Sequence, residues 1–502
     1  MLNKLLDLQN GSDIRGIAIE TAENQANLTP EAVAKIASGV IHWLAAKVYL
    51  ANDEVLTIGV GRDSRLSGEP LAKALIDSLL AQGVDVIDFG LATTPAMFMC
   101  TQFPQFACHA GLMLTASHLP YYFNGIKLFS QTGGAEKEDI RAILEQTEKI
   151  LDKKSGKLSQ GDLITPYAAD LVTKIRQGIP GQPEQPLKGL KIIVDAGNGA
   201  GGFFAEKVLQ PLGADTTGSQ YLEPDGHFPN HIPNPDNEEA MASIQEAVLR
   251  EGADLGVIFD TDVDRSAVVT KSGEVLNRNN LIAVLSRIIL AEHPGTSIVT
   301  NSPTTDHLKD FIETLGGKQV RYISGYRNVI NKGLALNQAG IDCQLAIETS
   351  GHAAFKENYF LDDGAYVIAK ILMLLPQLAT ENQSLEEMIA ALKQPVETQE
   401  VRFKLEVTDY QSLGKQVIAD FAQTQIPGWT IDPENEEGIR FKLTEDFGSG
   451  WFLLRMSLHE PLLVLQVEND QTGMIPLVLD KIHIILNRYK KVNQQQLHSL
   501  LR

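Results

Sequence analysis

The run Leu255-Gly256-Val257-Ile258-Phe259-Asp260-Thr261-Asp262-Val263-Asp264-Arg265-Ser266-Ala267-Val268-Val269 sets three aspartates, one at every second position, between two apolar strands. On an extended segment alternate side chains project to one side, so the three carboxylates offer hard oxygen ligands to a hard cation. Magnesium, with a phosphate oxygen completing its shell, fits that chemistry. An Asp-x-Asp-x-Asp opening also begins calcium-binding EF-hand loops, but those need glycine at the sixth position and glutamate at the twelfth, where this chain has Arg265 and Lys271. A solvated acidic turn is the plainer alternative, and the apolar strands on both sides argue against it.

Working outward, short apolar runs alternate with amphipathic stretches through three quarters of the chain, the pattern of repeated β-α-β units. Val55 to Val60, Val84 to Phe89 and Leu112 to Leu114 read as a first set of strands. Leu190 to Val194, Leu255 to Phe259 and Ala267 to Val269 form a second, and Ser297 to Val299, Val320 to Ile323 and Leu345 to Ile347 a third. Past Gln394 to Gln399 the pattern changes to strands Glu400 to Leu405, Gly438 to Leu443, Trp451 to Met456 and Leu462 to Val467, then a helix from Met474 to Tyr489. The expected fold class is therefore α/β: three similar mixed-sheet domains at 1–155, 156–277 and 278–394, and a smaller α+β domain at 395–502.

A second informative stretch is Thr115-Ala116-Ser117-His118-Leu119-Pro120. A serine hydroxyl is a weak nucleophile that needs a base, a metal or an attached phosphoryl group. His118 is adjacent, and neighbours on an extended segment face opposite ways, so a hydrolase-type Ser-His pair is not expected. Lys127 follows ten residues later, beyond an expected turn at Asn124-Gly125.

Two further loops leave the ends of strands. Ile347-Glu348-Thr349-Ser350-Gly351-His352 presents a carboxylate, a hydroxyl and an imidazole. Sheet carboxyl ends are where open α/β folds bind ligands, and a carboxylate there can accept from two vicinal sugar hydroxyls. Arg455-Met456-Ser457-Leu458-His459-Glu460-Pro461 presents a guanidinium suited to bidentate phosphate recognition. His459 would donate to that phosphate best as imidazolium, which predicts weaker affinity above neutrality. Arg15, Arg65 and Arg327 offer other positive edges. Gly197-Asn198-Gly199-Ala200-Gly201-Gly202 satisfies the dinucleotide-binding pattern, with Glu223 at a suitable distance, and is the basis of an alternative reading as an oxidoreductase. Tight strand-to-helix turns use glycines for backbone reasons alone, and nothing else in the chain suggests hydride chemistry.

Over 502 residues the chain is 43% hydrophobic and 21% charged, which is ordinary globular composition. A formal net charge of −20 argues against nucleic acid or an anionic membrane as partner. No segment has the apolar length of a signal peptide core or a transmembrane helix, so a cytoplasmic protein is expected. Cys100, Cys108 and Cys343 lack metal-ligand spacing and read as buried thiols.

Taken in order, the four loops resemble those of the α-D-phosphohexomutase family, which includes phosphoglucomutases, phosphomannomutases and phosphoglucosamine mutases. The resemblance covers essentially the whole chain, and Phe228-Pro229-Asn230-His231 with Pro233-Asn234-Pro235 matches a further family segment. It implies a heart-shaped molecule around a central cleft, with Ser117 carrying the phosphoryl group and Ser117, Asp260, Asp262 and Asp264 binding Mg2+. By the same resemblance Arg265 neutralises the transferring group, while Lys127, Arg15 and His118 assist proton movement. Glu348, Ser350 and His352 would hold the sugar, Arg455, Ser457 and His459 the distal phosphate, and Arg65 and Arg327 would add to substrate binding. A hexose 1,6-bisphosphate would be activator and intermediate, and the protein a monomer or weak homodimer. The chain departs from the pattern at Leu458 and His459, where glycine and threonine are usual, at Val464, Thr261 and Arg327, and in the shortened opening Gly11 to Gly16. A phosphoglucosamine mutase and a catalytically silent sugar-phosphate sensor on the same fold are the competing readings.

Overall fold

A computed structural model describes residues 2–47, 55–148, 155–457 and 460–501. It divides into two compact units, Met1–Leu285 with Ser350–Met388, and Ser286–Thr349 with Ile389–Arg502.

The first unit holds two mixed sheets. In the larger, Ala110–Leu114, Thr57–Arg62, Asp85–Leu91 and Leu158–Gln160 run parallel as neighbours, and Phe123–Ser130 and Asp13–Ile17 continue the sheet antiparallel. Helices Pro30–Lys47, Gly68–Ala81 and Lys137–Glu145 bury their apolar stripes on it, with Val33, Ile36, Val40, Leu75, Leu79 and Ile140 sharing one core. Each buried aliphatic side chain contributes roughly 1.5 to 3 kcal/mol. The smaller sheet pairs Leu255–Phe259 in parallel with Ile192–Asp195 and antiparallel with Ser266–Thr270. All five residues of Leu255–Phe259 are buried, which is why this strand is apolar without alternation. Helix Gly364–Glu381 is capped by Asp363, whose carboxylate accepts from Tyr366 N at 2.9 Å.

Asn124-Gly125 makes no turn, contrary to the sequence expectation, and lies inside strand Phe123–Ser130. Its glycine is demanded by crowding, because a Cβ there would come within 2.3 Å of Ile14 O and 2.7 Å of Thr115 O.

In the second unit Ser297–Asn301 lies between Lys318–Tyr322 and Cys343–Ile347, all parallel, with helices Asp306–Thr314 and Tyr326–Gln338. The remaining layer is an antiparallel sheet in the order Glu397–Lys404, Leu462–Asn469, Gly450–Met456, Ile439–Leu443, Trp429–Ile431. Trp429, Phe441 and Phe452 pack ring to ring. The two layers are joined by Arg440, which is fully buried and lies 3.6 Å over the Trp451 ring. It donates to Ser302 O, Thr304 O and Asp306 Oδ1 at 3.0, 3.2 and 2.9 Å. The edge strand at Trp429 and the helix Tyr410–Ala422 were not anticipated from sequence.

Candidate active site

Strand Ala110–Leu114 leads into a turn at Ser117, whose backbone is left-handed (φ 49°), a conformation uncommon outside glycine. Arg65 lies beneath it, 1% exposed. Its guanidinium donates to the carbonyls of Ser117 and Leu119 at 2.5 Å each, Pro120 at 2.8 Å and Phe123 at 3.0 Å. Asp63 Oδ2 lies 3.3 Å from its Nε and the Phe228 ring centre 5.4 Å from its Cζ. Arg65 is thus committed to the shape of the serine loop rather than turned outward as a free positive edge.

The left-handed turn also undoes the alternation assumed for Ser117 and His118. The two side chains share a side, with Ser117 Oγ 3.4 Å from His118 Nδ1. Burial, then the charges of Arg265 and Arg15, hold the His118 imidazole well below its usual pKa, so it is neutral and accepts from Arg265 at 2.5 Å. Arg265 NH2 donates to Ser117 Oγ at 2.7 Å, and Ser117 Oγ donates to Asp260 Oδ2 at 3.0 Å. Arg265 NH1 reaches Asn234 Oδ1 at 3.4 Å.

The aspartate loop is buried throughout, from Asp260 at 0% to Arg265 at 3% exposed. It is a tight turn with Val263 left-handed (φ 67°), and convergence of the three carboxylates comes from that turn rather than from an extended strand. Ligand oxygens of Asp260, Asp262 and Asp264 all lie within 4.8 Å of one another. Asp262 Oδ1 and Asp264 Oδ1 are buried without a hydrogen-bond partner among the described residues, which fits a hard divalent cation. Lys127 lies against this loop, forming an ion pair with Asp264 and sitting 3.1 Å from Asp262 Oδ2. Thr94, absent from the sequence-based candidates, donates its hydroxyl to Asp262 Oδ2 and its amide to Asp262 O at 2.9 Å.

Crowding splits the trio. Burial first, then Asp264 and Asp262, push the Asp260 carboxyl well above the usual range. Burial also opposes the charge on Asp264, but Lys127, His352 and Arg265 outweigh it and hold that carboxyl below the usual range. His352 lies 3.8 Å from Asp264 Oδ1 and is hydrogen-bonded to Asp362. Burial disfavours its charge, yet Asp362 and Asp264 raise its pKa to about 9, so it is a cation at neutral pH. His352 also bridges by backbone to Arg265, and Gly364 presses on the loop so closely that a Cβ would lie 2.7 Å from Arg265 C. Arg15 pairs with Asp13 at 3.0 Å, and Ser350 Oγ is buried without a hydrogen-bond partner among the described residues.

The glycine turn after strand Ile192–Asp195 serves the same loop. A Cβ on Gly199 would come within 2.6 Å of Thr261 O, and one on Gly202 within 2.2 Å of Leu222 O. Gly197 N donates to Asp195 Oδ1, and the amides of Asn198, Gly199 and Ala200 to the carbonyls of Tyr221, Ala196 and Thr261. Four successive amides of that turn, Gly197 to Ala200, are thus committed to oxygens of the fold, which weighs against the dinucleotide reading. His231, from the Phe228 to His231 segment, places Nε2 3.0 Å from both oxygens of Asp195.

The second unit gathers a different set. Glu348 Oε1 accepts from Gly325 N at 2.7 Å, and Arg327, just after that glycine, donates to Asn331 Oδ1 at 3.2 Å. Arg455 lies 3.8 Å from Glu437 Oε1, with its Nε buried and without a hydrogen-bond partner among the described residues, and Ser457 Oγ accepts from Glu460 N at 3.3 Å. Glu437 was hidden from sequence reading in the acidic run Glu434 to Glu437. Leu458 and His459 lie outside the described residues.

The chain matches the family description phosphoglucomutase/phosphomannomutase, alpha/beta/alpha domain I, over residues 7–154, domain II over 167–273 and domain III over 277–396. A phosphomannomutase/phosphoglucomutase of Pseudomonas putida is 32% identical across 84% of this chain and 86% of its own length. A phosphoglucomutase of Neisseria gonorrhoeae is 30% identical across 98% of both chains. Among solved structures, a phosphoglucomutase/phosphomannomutase family protein of Burkholderia thailandensis superposes with a TM-score of 0.78 at 26% identity, covering 97% of this chain and 98% of its own.

Proposed function

The chain belongs to the phosphoglucomutase/phosphomannomutase family of α-D-phosphohexomutases, and from that membership we propose that it interconverts the 1- and 6-phosphates of glucose, mannose or both through a phosphoserine at Ser117 and a bisphosphorylated sugar. The observation that carries the reading is the buried Ser117 hydroxyl, 3.0 Å from Asp260 Oδ2 and 2.7 Å from Arg265 NH2.

Asp260, Asp262 and Asp264 would hold Mg2+, which when bound neutralises charge building on the transferring phosphoryl group. A sugar hydroxyl attacks the phosphorus on Ser117, the bond from phosphorus to Oγ breaks, and the hydroxyl proton passes to a protein base. Lys127, Arg15 and His118 would assist that proton transfer. Arg265 NH2 donates to the phosphoryl oxygens as Oγ leaves. In the return step Oγ gives up its proton and attacks the other phosphate of the bisphosphate, the bond from that phosphorus to the sugar oxygen breaks, and the sugar oxygen takes a proton, which regenerates phosphoserine and releases the isomeric monophosphate. His352, kept cationic by Asp362 and Asp264, and Ser350 contact the sugar. In the second unit Glu348 accepts from sugar hydroxyls, and Arg455, Ser457 and His459, with Arg327, take the phosphate that is not transferring. Arg65 acts on the serine loop instead of the substrate.

We place domain boundaries after residues 155, 277 and 394 and the protein in the cytoplasm, as a monomer or weak homodimer with hexose phosphates as its ligands. No helix among the described residues is long and apolar enough to cross a membrane. Intact mass before and after hexose 1,6-bisphosphate tests the reading, together with coupled assays on glucose, mannose and glucosamine phosphates. One phosphoryl adduct, lost in Ser117→Ala, is expected. Its absence from the parent protein would reject the mutase in favour of the sensor, and turnover confined to glucosamine phosphate would move the substrate assignment.

A further inference from the structure

Glu437 reaches from the antiparallel layer of the second unit to the carboxyl ends of two parallel strands. It is 8% exposed, and its Oε2 accepts from Ser302 Oγ, from Ser324 Oγ at 2.7 Å and from Ser324 N at 3.2 Å. Ser302 follows strand Ser297–Asn301, and Ser324 follows Lys318–Tyr322 and opens the turn into helix Tyr326–Gln338. The other oxygen, Oε1, faces Arg455 NH1 at 3.8 Å. One residue further on, Gly325 N donates to Glu348 Oε1 at 2.7 Å. The approach is enforced by backbone packing, since Gly438 is left-handed (φ 56°) and a Cβ there would lie 2.2 Å from Leu454 O, next to Arg455.

We propose that Glu437 is a positioning residue for substrate binding, which fixes the Arg455 guanidinium and the Ser324-Gly325 turn together and so sets the phosphate-binding arginine and the sugar-binding Glu348 in register. This rests on the roles given above to Arg455 and Glu348. An ion pair at 3.8 Å is too long for a hydrogen bond, so the carboxylate orients the guanidinium by charge; NH1 donates to Met456 O at 3.3 Å, and Nε is left for an incoming phosphate. The neutral amide of glutamine would keep the contact with Ser324 and lose the pull on Arg455.

The test is steady-state kinetics on glucose 1-phosphate at saturating hexose 1,6-bisphosphate, with active enzyme counted by its phosphoserine content. Glu437→Gln should raise KM about tenfold with kcat per phosphorylated enzyme within about twofold. Glu437→Asp, which restores the charge, should return KM to within about threefold of the parent. Glu437→Gln combined with Arg455→Lys should raise KM no further than Arg455→Lys alone. If the glutamine variant does not fold, Ser324→Ala removes one donor to the same carboxylate and should raise KM in the same direction. A parental KM in the Glu437 or Ser324 variants beside a raised KM in Arg455→Lys overturns the proposal and leaves the Arg455 assignment standing. A fall in kcat at constant KM also overturns it. A parental KM in Arg455→Lys overturns the Arg455 assignment instead.

Discussion

Ser117 Oγ donates to Asp260 Oδ2 at 3.0 Å although 143 residues separate them in sequence. A phosphorylated serine has no hydroxyl proton to donate, so that hydrogen bond exists only in the dephosphorylated protein. With the phosphoryl group attached, anionic oxygens face the carboxylate trio, and a divalent cation must come between them. Chelation should therefore lower the thermal midpoint of the phosphorylated form below that of the dephosphorylated form, and Mg2+ should reverse the order. Melting curves of the two forms with EDTA and with excess Mg2+ check this; an unchanged order would reject it.

Thr94 holds Asp262 by both hydroxyl and amide. Thr94→Val keeps the shape and the amide contact but frees Asp262 Oδ2 from one restraint. Loss of such an outer contact typically costs 10- to 100-fold in metal affinity, and a decrease of about tenfold is expected here. Mn2+ titration followed by electron paramagnetic resonance reads the affinity without turnover.

Arg65→Lys replaces a planar fork that is bonded to four carbonyls and ion-paired with Asp63 by a single ammonium of three donors. Buried acceptors are left unpaired, and the expected loss is about 3 to 5 kcal/mol of stability. The left-handed Ser117 turn should loosen with it, so kcat should fall more than KM rises. Urea unfolding and kinetics on the same preparation separate the two effects.

Asp363 carries a pH-dependent share of stability. Burial raises its carboxyl from 3.8 to about 6, against hydrogen bonds from Tyr167 and Tyr366 that work the other way. The folded protein thus binds this proton more tightly than the unfolded chain. Its contribution is complete below about pH 4 and is lost as pH rises through about 6, a span worth roughly 3 kcal/mol. Asp363→Asn keeps an oxygen for the helix cap and cannot titrate. Urea midpoints should show the variant gaining on the parent between about pH 4 and pH 6.5; a constant difference would reject the assignment.

Much of this architecture was legible because burial writes itself into composition. Leu255–Phe259 is apolar at every position and was delimited at both ends from sequence. Phe123–Ser130 was obscured by Asn124-Gly125, whose glycine answers to the carbonyls of Thr115 and, far back along the chain, Ile14. At the site, Ser117 and the aspartates stood out because their chemistry is concentrated in short loops. Thr94, Asp362 and Glu437 did not, since each acts through a partner that only folding brings near, 168 residues away for Thr94. The direction of Arg65 was equally hidden: sequence shows a cation, and only the fold shows four carbonyls waiting for it.

The turn from Gly197 to Ala200 spends its amides on Asp195, Ala196, Tyr221 and Thr261. A signature search that counts glycines would enrol this chain among dinucleotide binders, whereas one that asked which N–H groups are already committed would count these four against it. Spacing records how near two stretches of backbone must come; vacancy decides what they can hold.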